Sequence, residues 1–230
     1  MHRLTICTSG VLVLLSLLDA RSRIVAAQAP RSGALQRIDL AERLAAGKLR
    51  GVNRDVTRLE GGPDGVHMSE GDGPGVVWID GSDFAEGTIE VDVRGRDVSQ
   101  RSFVGVAFHR KADNTYEAVY LRPFNFRSAD PLARQHAIQY MAPPAYDWPR
   151  LRQEFPERFE NPVDPSVVPT AWVGLRIVVK GRTIQAYVGS VASPALEVRK
   201  LGQHDRGLIG LWTGNNSDGD FANLRLARMK

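Results

Sequence analysis

The chain has 230 residues, of which 43% are hydrophobic and 24% charged, with a formal charge of +4 at neutral pH. That is the composition of a packed globular protein, and the length suits one large domain better than two. Basic and acidic residues are interspersed, with no long run of one sign and no zinc-finger or helix-turn-helix spacing, which argues against a nucleic-acid partner.

Residues 1–29 have the layout of a secretory leader: Arg3 at a cationic start, a mostly apolar run from Leu4 to Leu18, and small residues ending at Ala27 or Ala29, where cleavage is expected. An uncleaved anchor is the competing reading, and the apolar run is short for crossing a bilayer. Loss of the leader removes three arginines and one aspartate and leaves about +2. It also removes Cys7, the one cysteine, so the exported chain would hold no disulfide and would rely on its core. A secreted or periplasmic location follows, with no membrane span after cleavage.

Residues 30–65 read as a linker or a short helix leading into the domain. The helical pattern covers 37–46, with Ile38, Leu40, Ala41, Leu44 and Ala45 near one face and Gly47 as its stop. Residues 66–230 form the expected domain. Gly/Pro clusters such as Gly71-Asp-Gly-Pro-Gly75 separate runs too short for helices, and strands are expected at 66–69, 76–79, 87–94, 103–110, 116–122, 137–141, 172–180, 183–188, 196–198, 208–212 and 221–227. In 88–94, Ile89, Val91 and Val93 alternate with Glu90, Asp92 and Arg94, so one face of that strand is wet. Lys180-Gly181 reads as a hairpin turn with glycine at the positive-φ position. Many strands and almost no helix define an all-β fold, a sandwich or barrel.

The exception is 123–170, rich in proline, aromatic and charged residues. Long ordered loops in a compact domain often carry function, although these aromatics would equally serve to cap an open end of the sandwich.

The Gly207-Leu-Ile-Gly-Leu-Trp212 and Gly219-Asp-Phe-Ala-Asn-Leu224 strings, the 84–94 strand, the 103–122 hairpin with its Tyr116-Glu117 pair, and 172–188 together resemble the concanavalin A-like lectin/glucanase superfamily. Within it the chain is most similar to 3-keto-disaccharide hydrolase domains, a family-sixteen-like glycoside hydrolase group, and to laminin-G-like modules. The resemblance covers 66–227. It implies a two-sheet antiparallel jelly roll with long loops on one side, and saccharide cleavage or elimination in a periplasmic groove. The laminarinase-type Glu-x-Asp-x-x-Glu motif is broken, since Glu90-Val-Asp92 is followed by Gly95 where the second glutamate belongs.

Strand alternation places His109, Tyr116, Tyr120 and Arg122 on one face, and Gln139 joins them if its strand is adjacent. Arg, His, Tyr and Gln supply hydrogen bonds, and aromatic faces stack on sugar C–H groups, so His109, Tyr120, Arg122, Gln139, Tyr140 and Trp148 are the expected saccharide-binding set. Glu117 is the candidate catalytic carboxyl; its alternation with Val119 and Leu121 suggests the core side, where burial would raise its pKa, while an end-of-strand carboxylate pointing to solvent is the favoured alternative. Glu154 and Glu160 belong to the long loop and could reach over a groove. Trp212 shares parity with Leu208 and Gly210 and is expected in the core. Asn215-Asn-Ser-Asp-Gly-Asp220 has oxygen-bearing side chains that make calcium worth naming but lacks EF-hand spacing, and an Asn/Gly turn is the better explanation. The expected function is binding, with or without cleavage, of a saccharide; the alternative is a non-catalytic carbohydrate-binding or interaction module.

Overall fold

A computed structural model describes residues 33–229. The leader expected over 1–29 lies outside the described residues. The first described segment is not a free linker. Its first strand, β1 (Gln36–Arg37), is followed by α1 (Leu40–Ala45), β2 (Leu49–Val52) and β3 (Val56–Arg58), all packed into the domain. The helix is shorter than the 37–46 pattern because Gln36 and Arg37 pair with Leu226 and Arg225, and Asp39 accepts the Glu42 N–H as an N-cap.

Then come β4 (Gly65–Met68), β5 (Gly75–Ile79), β6 (Gly87–Arg94), β7 (Val104–Ala112) and β8 (Thr115–Leu121). The long segment contributes α2 (Pro131–Gln135), β9 (Ile138–Met141), α3 (Trp148–Glu154) and β10 (Glu160–Asn161). The chain closes with β11 (Val173–Lys180), β12 (Thr183–Val188), β13 (Leu196–Arg199), β14 (Gly210–Thr213) and β15 (Gly219–Arg228). All pairings are antiparallel and make two sheets: an eight-stranded one ordered β13-β12-β11-β6-β15-β4-β3, with β1 on β15, and a seven-stranded one ordered β10-β9-β8-β7-β14-β5-β2. Lys180 and Thr183 close the β11–β12 hairpin across Gly181, whose φ of 55° a glycine adopts without strain.

The two sheets differ in how they meet water. In β6 and β11 every second residue is buried, so the eight-stranded sheet has one packed face and one wet face. In β5, β8, β9 and β14 nearly every residue is buried, because the seven-stranded sheet is covered twice. The other sheet covers one face; Val104 of β7, for example, comes within 2.7 Å of where a Cβ on Gly219 of β15 would stand. The segment between β8 and β11 folds over the opposite face.

Candidate functional site

That opposite face carries the site. Register sets Tyr120 of β8 beside Gly105 of β7 and Gln139 of β9, and sets Gly105 beside Trp212 of β14. With no side chain on Gly105, the Tyr120 and Trp212 rings meet across it, their centroids 4.6 Å apart. A Cβ at position 105 would fall 2.5 Å from Tyr120 Cα, so glycine is required by the close approach. Trp212 Nε1 donates to Tyr116 Oη at 3.1 Å, extending the aromatic floor.

Over this floor the 123–161 segment leaves a cavity of about 570 Å³, whose walls include Phe103, Asn125, His136, Trp148, Arg152 and Asn215. Both short helices start at its edge by one local rule. Asp130 accepts the Leu132 N–H, Asp147 accepts the Arg150 N–H, and Pro131 and Pro149 occupy the first turns. Both carboxylates line the cavity while serving as caps. Trp148 is 48% exposed, and the Arg152 guanidinium sits 5.2 Å from its ring.

Arg122, 4% exposed, ties floor to wall. It donates to Tyr120 Oη and to the His136 carbonyl at 2.8 Å each, and also to Gln139 Oε1, which accepts from Tyr120 Oη at 2.8 Å as well. Burial lowers its pKa from the ordinary guanidinium value, an effect opposed by Tyr120 and by Glu160. Glu160, 3% exposed, faces Arg122 at 3.9 Å, Arg152 at 3.1 Å and His136 Nδ1 at 2.8 Å, the last an oblique approach. Burial also lowers the His136 pKa, with Glu160 pulling it back in part, and His136 Nε2 has no protein partner among the described residues.

A second cluster lies on the other side of the same sheet, between the layers. Glu117 Oε1 is 2.9 Å from His109 Nδ1 and 3.2 Å from Lys200 Nζ, and Oε2 accepts from Tyr140 Oη. Tyr140 Oη in turn accepts from the Leu201 and Gly202 N–H groups at 2.9 and 3.3 Å. His109, Glu117, Tyr140 and Lys200 are all at most 2% exposed. Burial pushes the Glu117 carboxyl up, but hydrogen bonds from His109 and Tyr140 and the charges of Lys200 and His109 prevail, so its pKa lies below the ordinary value.

The expected binding set therefore divides. Tyr120, Arg122 and Gln139 share the cavity side, with Gln139 beneath Arg122, and Trp148 stands at the rim. His109 does not join them. A bulge between Phe108 and Ala112 puts it at φ 54° and turns its ring inward, with Nε2 2.7 Å from the Ala85 carbonyl oxygen. Tyr140 also faces inward and is no stacking platform. Glu117 is on the core side, against the favoured solvent-facing alternative, and its pKa is depressed, not raised. Glu160 reaches the site, whereas Glu154 is exposed and pairs with Arg150 at 2.9 Å. Trp212 is buried, but as cavity floor instead of inter-sheet core. His136, Arg152 and Phe103 were not expected; the Asp130-Pro131 and Asp147-Trp-Pro149 cap signals were the sequence clue to the helices around them.

The Asn215, Asp218 and Asp220 side-chain oxygens already face protein groups. Asp218 lies 2.7 Å from Arg96, Asp220 pairs with Arg94 and His67, and Asn215 Oδ1 accepts the Gly73 N–H. This donor set does not fit a calcium ion, and the described residues contain no group of three His, Cys, Asp or Glu side chains arranged for a metal.

The topology is that of a galectin-like sandwich, all-β with two antiparallel sheets. Solved structures share it at low sequence identity. The carbohydrate binding module CBM66 from Bacillus subtilis aligns with a TM-score of 0.54 and 12% identity over 77% of this chain and 93% of that one. A Bacillus subtilis protein of unknown function with a galectin-like fold gives 0.56 and 14% over 88% and 100%. The VIP36 exoplasmic/lumenal domain, in a form with Ca2+ and Man3GlcNAc bound, gives 0.58 and 10% over 86% and 91%. No protein-family model matches the chain, and no curated protein matches it in sequence.

Proposed function

We propose that this protein binds a saccharide in the cavity over the seven-stranded sheet. The observation that carries the proposal is the cavity itself: about 570 Å³ with an aromatic floor at Tyr120 and Trp212, an exposed tryptophan at the rim, and Asn, His and Arg groups on the walls. Its size suits a small ligand, and its mixture of ring faces and fixed polar groups suits one that is flat and hydroxyl-rich. The carbohydrate-binding module and the oligosaccharide-bound VIP36 domain support the choice by sharing the fold. Export, to the periplasm or the medium, is proposed from the leader-like first 29 residues. Among the described residues no helix is long and apolar enough to cross a membrane.

Titration calorimetry against a panel of mono- and disaccharides tests this directly. Trp148→Ala is expected to leave folding intact, because the side chain is half exposed, and to weaken binding about tenfold through loss of a stacking surface. If no saccharide binds the wild type, the proposal fails.

Cleavage is a second reading, favoured by one observation. His136 lines the cavity with Nδ1 beside the buried Glu160 carboxylate and with Nε2 unpartnered, and its lowered pKa keeps it neutral near pH 7. It is placed to accept a proton, as the elimination of a 3-keto-glycoside requires: the C–H proton beside the ketone passes to Nε2, the neighbouring C–O bond breaks, and the leaving oxygen takes a proton from water. His136→Phe should abolish turnover of such a substrate and retain binding of the parent disaccharide. Binding by the wild type with no turnover leaves the non-catalytic module.

A further inference from the structure

One buried cation belongs to neither cluster. Arg54, in the connection between β2 and β3, is 7% exposed, and among the described residues no carboxylate lies within ion-pair distance of it. Its guanidinium instead gathers neutral oxygens from three connections at one end of the sandwich. Nε donates to Thr213 Oγ1 at 3.1 Å, Nη1 to the Asn53 carbonyl at 2.5 Å, and Nη2 to the carbonyls of Gly71, Gly73 and Gly214 at 2.9, 2.7 and 2.6 Å. The Gly71-Asp-Gly-Pro-Gly75 string is shaped by this contact, since a Cβ on Gly75 would fall 2.2 Å from Arg54 Cγ and one on Gly71 would fall 2.8 Å from Nη1.

These connections form one edge of the cavity, where Pro74, Gly214 and Asn215 line it. Two further bonds lock them together: Gly73 N–H to Asn215 Oδ1 at 2.6 Å, and Asn216 N–H to the Gly71 carbonyl at 2.9 Å. Carbonyl oxygens converging on one point repel each other unless a positive charge sits among them, and the Arg fork satisfies several at once.

We propose that Arg54 is a positioning residue for the candidate saccharide site, a resident cation that holds the Pro74–Asn215 rim in place. Its ligand arm rests on the saccharide reading; its structural arm does not. The clamp acts on the rim loops and leaves the inter-sheet core unsupported by it, so its removal should be felt locally.

Amide hydrogen exchange tests the clamp without any ligand. In Arg54→Ala, protection at Gly73 and Asn216 should fall at least about tenfold while β6 and β11 retain theirs. Added methylguanidinium should restore the protection, and methylammonium, which lacks the planar fork, should not. Should Arg54→Ala fail to fold, Arg54→Lys provides the same comparison, with a smaller loss expected because one ammonium cannot reach all the oxygens. Unchanged exchange at Gly73 and Asn216 in a folded variant overturns the proposal. In parallel calorimetry, the saccharide bound by the wild type should bind Arg54→Ala more weakly. Lost protection with unaltered affinity would overturn the positioning role, whereas a wild type that binds no saccharide would remove the cavity reading on which that role depends.

Discussion

Glu117→Ala is expected to cost about 3–5 kcal/mol of folding stability, because it removes the buried carboxylate on which three buried side chains converge. His109 Nδ1, Lys200 Nζ and Tyr140 Oη all converge on this one group, and each is at most 2% exposed. Lys200 keeps Asp205 at 2.7 Å, but His109 and Tyr140 lose their partner for Nδ1 and Oη. The loss is a large fraction of a typical domain's total stability, so the variant should be marginal in denaturant unfolding. A change below about 1 kcal/mol would show that the cluster is not an energetic tie between the sheets. The pH dependence has a definite sign. The folded-state pKa of Glu117 lies below its ordinary 4.5, so its contribution is complete above that pH and declines as pH falls through the folded value. Wild type should therefore lose stability more steeply than Glu117→Gln below about pH 4.5.

Arg122→Met should remove about 3 kcal/mol and the binding of saccharide together. Methionine fills much of the volume, but Tyr120 Oη, Gln139 Oε1 and the His136 carbonyl each lose a donor, and buried Glu160 loses one of its surrounding cations. The segment over the cavity is tied to the sheet at this point, so the wall should loosen where the ligand is proposed to sit. Arg122→Lys should recover little, since a single ammonium cannot reproduce the fork. Unfolding curves and calorimetry on the same samples read both effects. A variant with wild-type stability and affinity would refute the role given to Arg122.

Much of the scaffold was visible in the chain. The strand periods at 87–94, 173–180 and 183–188 correspond closely to observed strands because each lies on the sheet with one wet face, where alternation records burial directly. On the seven-stranded sheet the same logic weakened, since both faces are covered and alternation no longer separates core from site. Trp212 illustrates this: it is buried as expected but under the long segment, on the face opposite the inter-sheet core. The strands at 49–52, 56–58 and 160–161 were not expected; they are short, and their pairing is set by partners far along the chain. Residues 30–65 were read as a linker or short helix, yet β2 and β3 extend one sheet each.

His109 shows the limit most clearly. Strict alternation puts it beside Tyr120 and Arg122, and the bulge between Phe108 and Ala112, with His109 at φ 54°, sends it to the opposite face, where Glu117 meets it. Local sequence determined the longer strands, the helix caps at Asp130 and Asp147, the turn at Gly181 and the placing of Tyr120 and Arg122 on one face, because these depend on neighbours a few residues away. The tertiary structure alone decided that Glu117, His109, Tyr140 and Lys200 form a knot between layers, that His136 and Glu160 meet over the sheet, and that three connections close on Arg54. Those contacts join residues from separate strands and loops, and their geometry comes from register, sheet order and the bulge, quantities that no short stretch of the chain encodes.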